Sequence, residues 1–355
     1  MYLVKKVTED EYEDFLNFPS RIHPQNELMQ KRSDEIALLK NTHTLSKYFS
    51  FTAFLCYLDG KVVTRCAVTI YPYKEEAYLG FFDSENDIEA VRVMIQAAER
   101  YARNNGATKL TGPVDASFWI GYRMKSDRFD EERFFSEPYG KDYYPKLWQE
   151  CGYEVSQVYI SNIYKKLSKN EDDDERYTKR YNHFVKKGYR IVSAKKKDWD
   201  KVIGEVYTLL IKLYSDFPVF SHITEEEFRE MYKSLKMILD YNMVKLGYKD
   251  NKLVGFFICV PDYRNRLYGN IGISELIYLI KNRKKCDNYI LLYIGVDEKH
   301  LGLGSALSQA MFRELCKKEA SSIGALIKKG KASEKYIDKK ILYQREYLLF
   351  EKKLL

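Results

Sequence analysis

Apolar positions along this chain switch between strand-like runs and helical spacing in an order that occurs twice. The segment YLDGKVVTRCAVTIY reads as strand, tight turn at Asp59-Gly60, strand, and YKDNKLVGFFICVPDY reads the same way around Asp250-Asn251. Asx-Gly and Asx-Asn pairs tolerate the positive φ angles that two-residue hairpins require. Tyr57, Asp59, Lys61 and Val63 fall on Tyr248, Asp250, Lys252 and Val254 at a constant offset of 191. Each hairpin is followed by a further strand, EAYLGFF in the first copy and NYILLYIGV in the second, and then by an amphipathic helix. In the first helix Val91, Met94, Ile95, Ala98, Tyr101 and Ala102 share one face, with Gly106 as the stop. In the second, Ala306, Leu307, Ala310, Met311, Leu315 and Cys316 do the same. Both copies close on a short helix, a turn, a strand and a basic finish (YYPKLWQECGYEVSQVYISNIYKKL and EKYIDKKILYQREYLLFEKKL). Four elements repeated in one order indicate an internal duplication.

The acidic run Glu171 to Glu175 and the polar stretch RYTKRYNHFVKKG divide the copies. Charge-dense segments of this kind bury little apolar surface and commonly lie between domains. The expected layout is a domain over 1–168, a linker over 169–188 and a second domain over 189–355, each domain of ordinary size. Strands and helices alternating within each copy put the chain in the α/β (α+β) class.

Composition adds to this picture in three places. The 355 residues are 45% hydrophobic, with 31 Tyr and 19 Phe, ample for packed cores. The net charge of +8 favours anionic partners, phosphorylated cofactors among them, although no single basic run dominates. Six cysteines show no C-x-x-C pair, and Cys56, Cys66 and Cys259 sit in apolar runs, so they read as buried thiols of a reducing compartment. The five histidines lack metal-ligand spacing, and no metal is expected. The start MYLVKKVTEDEYEDF lacks a signal-peptide core, and runs such as FTAFLCYL and LVGFFICV are too short to span a bilayer. The expectation is a cytoplasmic protein without a membrane partner.

Chemistry concentrates at Lys299-His300-Leu301-Gly302-Leu303-Gly304-Ser305, between the strand Tyr289 to Val296 and the second amphipathic helix. Backbone N–H groups at a helix N-terminus lack intrahelical partners, and the helix dipole adds positive charge, so a pyrophosphate is at home there. Glycines at 302 and 304 let that backbone approach phosphates closely. A Rossmann pattern would need Gly or Ala at 307, where Leu stands; no Gly-Lys-Ser/Thr supplies a P-loop; and Gly272-Ile-Ser274 fails as a hydrolase elbow because position 276 is Leu. The first copy has Phe82-Asp83-Ser84-Glu85-Asn86-Asp87 at the corresponding place, acids that suit a helix cap and repel a pyrophosphate.

Hairpin, strand, glycine loop, helix, strand, helix, strand, with KHLGLG at the loop, resembles the GNAT superfamily of acyl-CoA-dependent N-acyltransferases, whose loop reads Arg/Gln-x-x-Gly-x-Gly/Ala. LTGPVDASFWIGYRMK with EPYGKDYYPKLWQECGY, and PVFSHITEEEF in the second half, resemble a bacterial group of tandem GNAT-like proteins. The resemblance implies two domains, each a mixed, mostly antiparallel central sheet flanked by helices, with coenzyme A bound by the second only. It implies acetyl-CoA or another acyl-CoA as co-substrate. Lys299, His300, Leu301, Gly302, Leu303, Gly304 and Ser305 would lie at the pyrophosphate, and the backbone of Ile294 and Val296 along the pantetheine arm. The family's Asn-x-x-Ala-x-x-x-Tyr pattern becomes Lys329-Gly-Lys-Ala332-Ser-Glu-Lys-Tyr336, which makes Tyr336 the candidate acid for the leaving thiolate, with Lys where the family has Asn. A phenol with a pKa near 10 can donate to a thiolate at neutral pH. Asp216, His222, Asp262 and Glu275 stand in rim segments as candidate bases, and Phe118, Trp119 and Tyr122 are aromatics of core or cleft.

The function so implied is acyl transfer, of acetyl in the first instance, to an amine of a small molecule or peptide, by direct attack without a covalent enzyme intermediate. Two alternatives stay open at this point: a non-catalytic binding or regulatory protein of the same fold, and an aminoacyl-tRNA-dependent ligase. Nucleic acid is not an expected partner, and the oligomeric state is open.

Overall fold

In the computed structural model the described residues are all but 269–271, 284, 336–337 and 355, with the side chains of 275, 282, 332 and 335 also outside the description. Two units divide the chain: Met1–Tyr159 with Arg264–Asn270 and Arg345–Leu355, and Ile160–Tyr263 with Ile271–Gln344.

The first unit begins with β1 (Tyr2–Lys6), α1 (Tyr12–Ile22) and α2 (Arg32–Leu39), and continues through β2 (Ser50–Leu58), β3 (Lys61–Ile70) and β4 (Glu76–Ser84). Then come α3 (Ile88–Asn104), β5 (Lys109–Gly112), β6 (Met124–Lys125), α4 (Tyr144–Glu150) and β7 (Glu154–Tyr164), which belongs to this unit as far as Tyr159. The β2–β3 turn has Asp59 and Gly60 at φ of 50° and 80°, the positive pair a two-residue hairpin needs. β1 to β4 pair antiparallel in sequence order, and β5 lies parallel to β4 after the α3 crossover. Val91, Met94, Ile95, Ala98 and Ala102 of α3 pack into the core on Phe54, Cys66, Val68 and Leu79, so the face read from the sequence is the buried one.

The second unit repeats the plan. It holds α5 (Glu175–Lys186), β8 (Arg190–Ser193), α6 (Trp199–Tyr214), α7 (Glu225–Tyr232), α8 (Leu235–Ile238), β9 (Val244–Lys249) and β10 (Lys252–Pro261). After α9 (Ile273–Asn282) follow β11 (Asn288–Val296), α10 (Leu303–Lys318), β12 (Ser321–Lys328) and the opening residues of β13 (Ile341–Lys353). β8, β9, β10 and β11 are antiparallel neighbours, and β12 is parallel to β11 after the α10 crossover. Asp250 and Asn251 have φ of 49° and 61°, the same turn as in the first copy. Each unit is thus an α/β fold around a mostly antiparallel sheet, with a parallel pair at the helical crossover, β4–β5 in the first and β11–β12 in the second.

Two placements go beyond the sequence reading. The stretch expected to be a polar linker contains α5, which is capped by Asp174 and buries Tyr177 and Phe184. The last residues of β13 pair antiparallel with β5, from Phe350–Gly112 to Lys353–Lys109, inside the first unit.

Candidate functional site

β11 runs into Asp297, whose side chain accepts from the Lys299 N–H at 3.1 Å and from Lys212 Nζ at 2.8 Å. The Lys212 bond comes first in holding that carboxyl below its ordinary range. A 3-10 turn over Glu298–His300 follows, and Gly302, at φ of 92°, turns the chain into α10. That left-handed angle is open to Gly and strained for other residues. Leu303 anchors the first turn: a Cβ placed at Gly255 of β10 would sit 3.0 Å from its Cδ2, and one at Gly247 of β9 3.2 Å from it. Two glycines in adjacent strands therefore let the helix start close to the sheet.

The helix begins with donors outside the helical ladder, and two cations stand beside it. Ser305 N–H bonds back to Gly302 O at 3.2 Å, leaving the N–H groups before it free of the helical ladder. The first turn of α10 carries no acid. Lys299 is exposed, and its ammonium has no partner among the described residues. Arg180 of α5 reaches the same spot, its Nη1 3.6 Å from where a Gly302 Cβ would stand, and it too is exposed and without a partner among the described residues. His300 shares a 2.7 Å hydrogen bond with the Tyr189 hydroxyl through Nδ1.

Beside this loop the sheet opens. β11 pairs with β12 from Asn288–Ser321 to Leu291–Gly324 and no further, while its pairing with β10 continues to Val296–Gly255. Asp297 N–H donates to Val254 O at 2.9 Å. By strand alternation the N–H and C=O groups of Val296 and Ile294 point away from β10, toward the side β12 has left. Among the described residues only the Tyr214 hydroxyl approaches them, 3.5 Å from Ile294 O. A free strand edge thus leads up to a helix N-terminus.

In the first unit the equivalent edge is occupied. β4 and β5 pair from Glu76–Lys109 to Tyr78–Thr111 and then part. Leu79 O accepts from Val114 N–H at 2.8 Å, and Phe81 N–H donates to Asp115 Oδ1 at 2.6 Å. A Cβ at Gly80 would overlap Val114 O at 2.0 Å. Asp87 caps α3, its Oδ1 taking the N–H groups of Glu89 and Ala90. The neighbouring acid Asp83 turns inward instead, bonded to His23 Nε2 at 2.7 Å, Arg65 Nε at 2.9 Å and Tyr144 OH at 3.2 Å. Burial pushes its carboxyl up, but the Arg65 charge and the His23 bond outweigh this and hold it below the ordinary value. Arg65 also binds Glu35 at 2.7 Å.

The structure therefore brings Ile294, Val296, Lys299, His300, Gly302, Leu303, Gly304 and Ser305 into one corner of the second unit, with Leu301 exposed beside them. Tyr336 lies outside the described residues. Asp262 accepts from Asn288 Nδ2 at 2.9 Å, at the opposite end of β11 from the loop. Trp119 and Tyr122 are core, with Phe118 stacked on Tyr122 at 5.2 Å. Arg180 was not among the residues read from the sequence; only the packing of α5 reveals it.

No family model matches the sequence. Over 292 residues it is 24% identical to the bacterial ceramide synthase of Caulobacter vibrioides, an alignment covering 77% of this chain and 75% of that one. Among solved structures, a tandem GNAT protein from the clavulanic acid biosynthesis pathway matches over 100% of this chain and 99% of its own, with a TM-score of 0.53 at 12% identity. A GCN5-related N-acetyltransferase from Sphaerobacter thermophilus matches over 99% and 96%, with a TM-score of 0.52 at 11% identity.

Proposed function

From a chain that is GNAT-like over its whole length, with two such units in tandem, we propose an acyl-CoA-dependent N-acyltransferase whose second unit holds the coenzyme. The observation that carries this is the open edge of β11 ending at a glycine-started helix, beside two cations that have no partner among the described residues. The N–H groups at the start of α10 and the charges of Lys299 and Arg180 would hold the pyrophosphate. The outward backbone groups of Ile294 and Val296 would bond the amide-rich pantetheine arm as a further strand would. The first unit, its edge filled by Val114 and Asp115, plays no part in coenzyme binding.

The thioester supplies an acyl carbon activated toward nucleophiles. In direct transfer the acceptor nitrogen forms its bond to that carbon, the carbon–sulfur bond breaks, and the amine proton leaves to solvent or a nearby base. Tyr336 is the proposed donor to the departing thiolate. The acceptor is an amine. The likeness to a ceramide synthase makes a long-chain amino alcohol the first to assay, because a ceramide is the N-acyl derivative of such a base.

The test is thermal unfolding with acetyl-CoA and with longer acyl-CoAs, on wild type, Gly304→Glu, Lys299→Glu and Arg180→Glu. Ligand at about a hundredfold over Kd stabilises by about 2.7 kcal/mol. Wild type should shift, Gly304→Glu should not, and the two exposed charge reversals, which leave the core untouched, should shift less. A wild type unmoved by every acyl-CoA sinks the reading. Tyr336→Phe should keep the shift while turnover falls.

A further inference from the structure

α9 sits between β10 and β11 as an excursion with no counterpart between β3 and β4 of the first unit. It is fastened by Leu279, which is 1% exposed, and by Arg283 Nη1 on Met237 O at 2.9 Å. The rest of its apolar side is open. Ile273 is 81% exposed, Leu276 38%, Ile277 45% and Tyr278 47%. Ile273, Leu276, Ile277 and Ile280 follow helical spacing and form one stripe. Met237 of neighbouring α8 is a further exposed apolar side chain at 39%.

The charge at the end of this helix is one-sided. From 273 to 285 the sequence ISELIYLIKNRKK carries one acid, Glu275, and four basic residues, Lys281, Arg283, Lys284 and Lys285. Lys281 and Lys285 are exposed, and neither has an ion-pair partner among the described residues. A short helix with aliphatic side chains outward on one stripe and a basic cluster at its end has the composition of a segment that lies in a membrane interface. A protein partner would need an acidic rim around a matching apolar pocket; an anionic bilayer offers both complements as a continuous surface.

We propose that α9 is an interfacial helix that seats this chain on anionic lipid, Ile273, Leu276 and Ile277 entering the headgroup–acyl boundary while Lys281 and Lys285 meet the lipid phosphates. Among the described residues no helix is long and apolar enough to cross a membrane, so the attachment is to the surface. The proposal departs from the expectation of no membrane partner. It stands apart from the transferase reading: loss of acyl-CoA binding would leave it intact, and the reverse also holds. With both in force, the acceptor amine can be a lipid presented at the interface.

The experiment is co-sedimentation of the full chain with vesicles of phosphatidylcholine alone and of phosphatidylcholine mixed with phosphatidylglycerol, at low and high salt. Wild type should pellet with the anionic vesicles and be released by salt. Ile273→Asp/Ile277→Asp should abolish binding. Lys281→Glu/Lys285→Glu should weaken it by roughly thirtyfold, the loss expected for two lysine contacts with an anionic surface. All four sites are exposed, and unchanged melting and an unchanged acyl-CoA shift would show that the fold and the other site survive. The wild-type salt response stands even if a variant misfolds. The proposal fails if wild type pellets with neither vesicle, or if both double variants bind like wild type. It also fails if the Ile273/Ile277 variant turns a dimer into a monomer without any effect on vesicle binding, which would assign the face to a second copy of this chain.

Discussion

Asp115 places a carboxylate where a neutral acceptor would be more stable, and Asp115→Asn isolates the consequence. Its Oδ1 accepts from Phe81 N–H at 2.6 Å on the edge of β4. Burial pushes the carboxyl from its ordinary 3.8 up to about 6, with the Phe81 bond and the Arg65 charge opposing and Glu35 and Asp83 adding to the rise. The folded chain then keeps this proton to about pH 6, whereas the unfolded chain releases it near 3.8. Between those values the native state binds the extra proton, so stability falls as pH rises, and the loss is complete above about pH 6. A displacement of that size corresponds to about 3 kcal/mol. Protein surrounds the carboxyl, yet Asp115 keeps part of its surface open to solvent, so screening reduces the expected loss to about 1–2 kcal/mol.

Asn retains the acceptor and carries no charge. Asp115→Asn should therefore match wild type near pH 4 and exceed it by about 1–2 kcal/mol at neutral pH, a rise in Tm of roughly 2–8 °C for a unit of this size. Thermal unfolding followed by circular dichroism across that pH range reads the difference directly. Asp115→Ala supplies the contrast, since it strands the Phe81 N–H, a defect of about 1–3 kcal/mol, and should lie below Asn at every pH. Parallel wild-type and Asn profiles would refute the buried-carboxylate argument, and equal Ala and Asn profiles would refute the role of the hydrogen bond.

Two further substitutions probe the cores of the two units. Arg65→Met keeps an apolar stem on the Phe15 ring but leaves Asp83 and Glu35 buried without their cation; urea unfolding should show a loss of about 3–5 kcal/mol, and a loss like that of a surface pair would mean water reaches the cluster. Gly255→Val drives a side chain into Leu303 and Leu307, whose methyls stand 3.0 and 3.2 Å from the new Cβ. The unit should lose about 1–3 kcal/mol, and the acyl-CoA shift should shrink with it because the start of α10 is pushed off the sheet. An unaltered shift would show that the glycine floor does not set the loop.

What was legible in the sequence was local. The hairpins at 59–60 and 250–251, the helices α3 and α10 and the glycine turn at 302 all follow from spacing and from the φ angles their residues permit. What was not legible depended on tertiary packing or was masked by composition. The charge density of 171–187 concealed α5, although Tyr177, Tyr181 and Phe184 fall at helical spacing. Arg180 could not be assigned to the loop because its position beside Gly302 is set by the packing of a different helix. The pairing of Phe350 with Gly112 is a contact between distant parts of the chain that no local pattern announces. The basic amphipathic character of ISELIYLIKNRKK is legible in the sequence, but a test of bilayer-spanning length does not detect a helix of the interfacial kind proposed for it.

The two copies differ mainly in where the same backbone groups find their hydrogen-bond partners. A strand that parts from its parallel neighbour exposes N–H and C=O groups, and a helix that starts beside it exposes donors; both sets must be satisfied by something. In the first unit the chain satisfies them itself, with Val114 and Asp115 on the β4 edge and the Asp87 carboxylate on the first N–H groups of α3. In the second unit the corresponding caps are missing among the described residues: glycine stands where the first unit has its capping acid, β12 does not pair with β11 beyond Leu291, and the cations Lys299 and Arg180 stand beside the loop. In the proposed reading an amide-rich arm ending in a pyrophosphate would meet each of these needs in order, from the β11 edge to the start of α10. The loop of the first unit therefore serves as an internal control: a Val114–Asp115 segment grafted onto the second unit's edge should exclude the coenzyme in the way it closes its own.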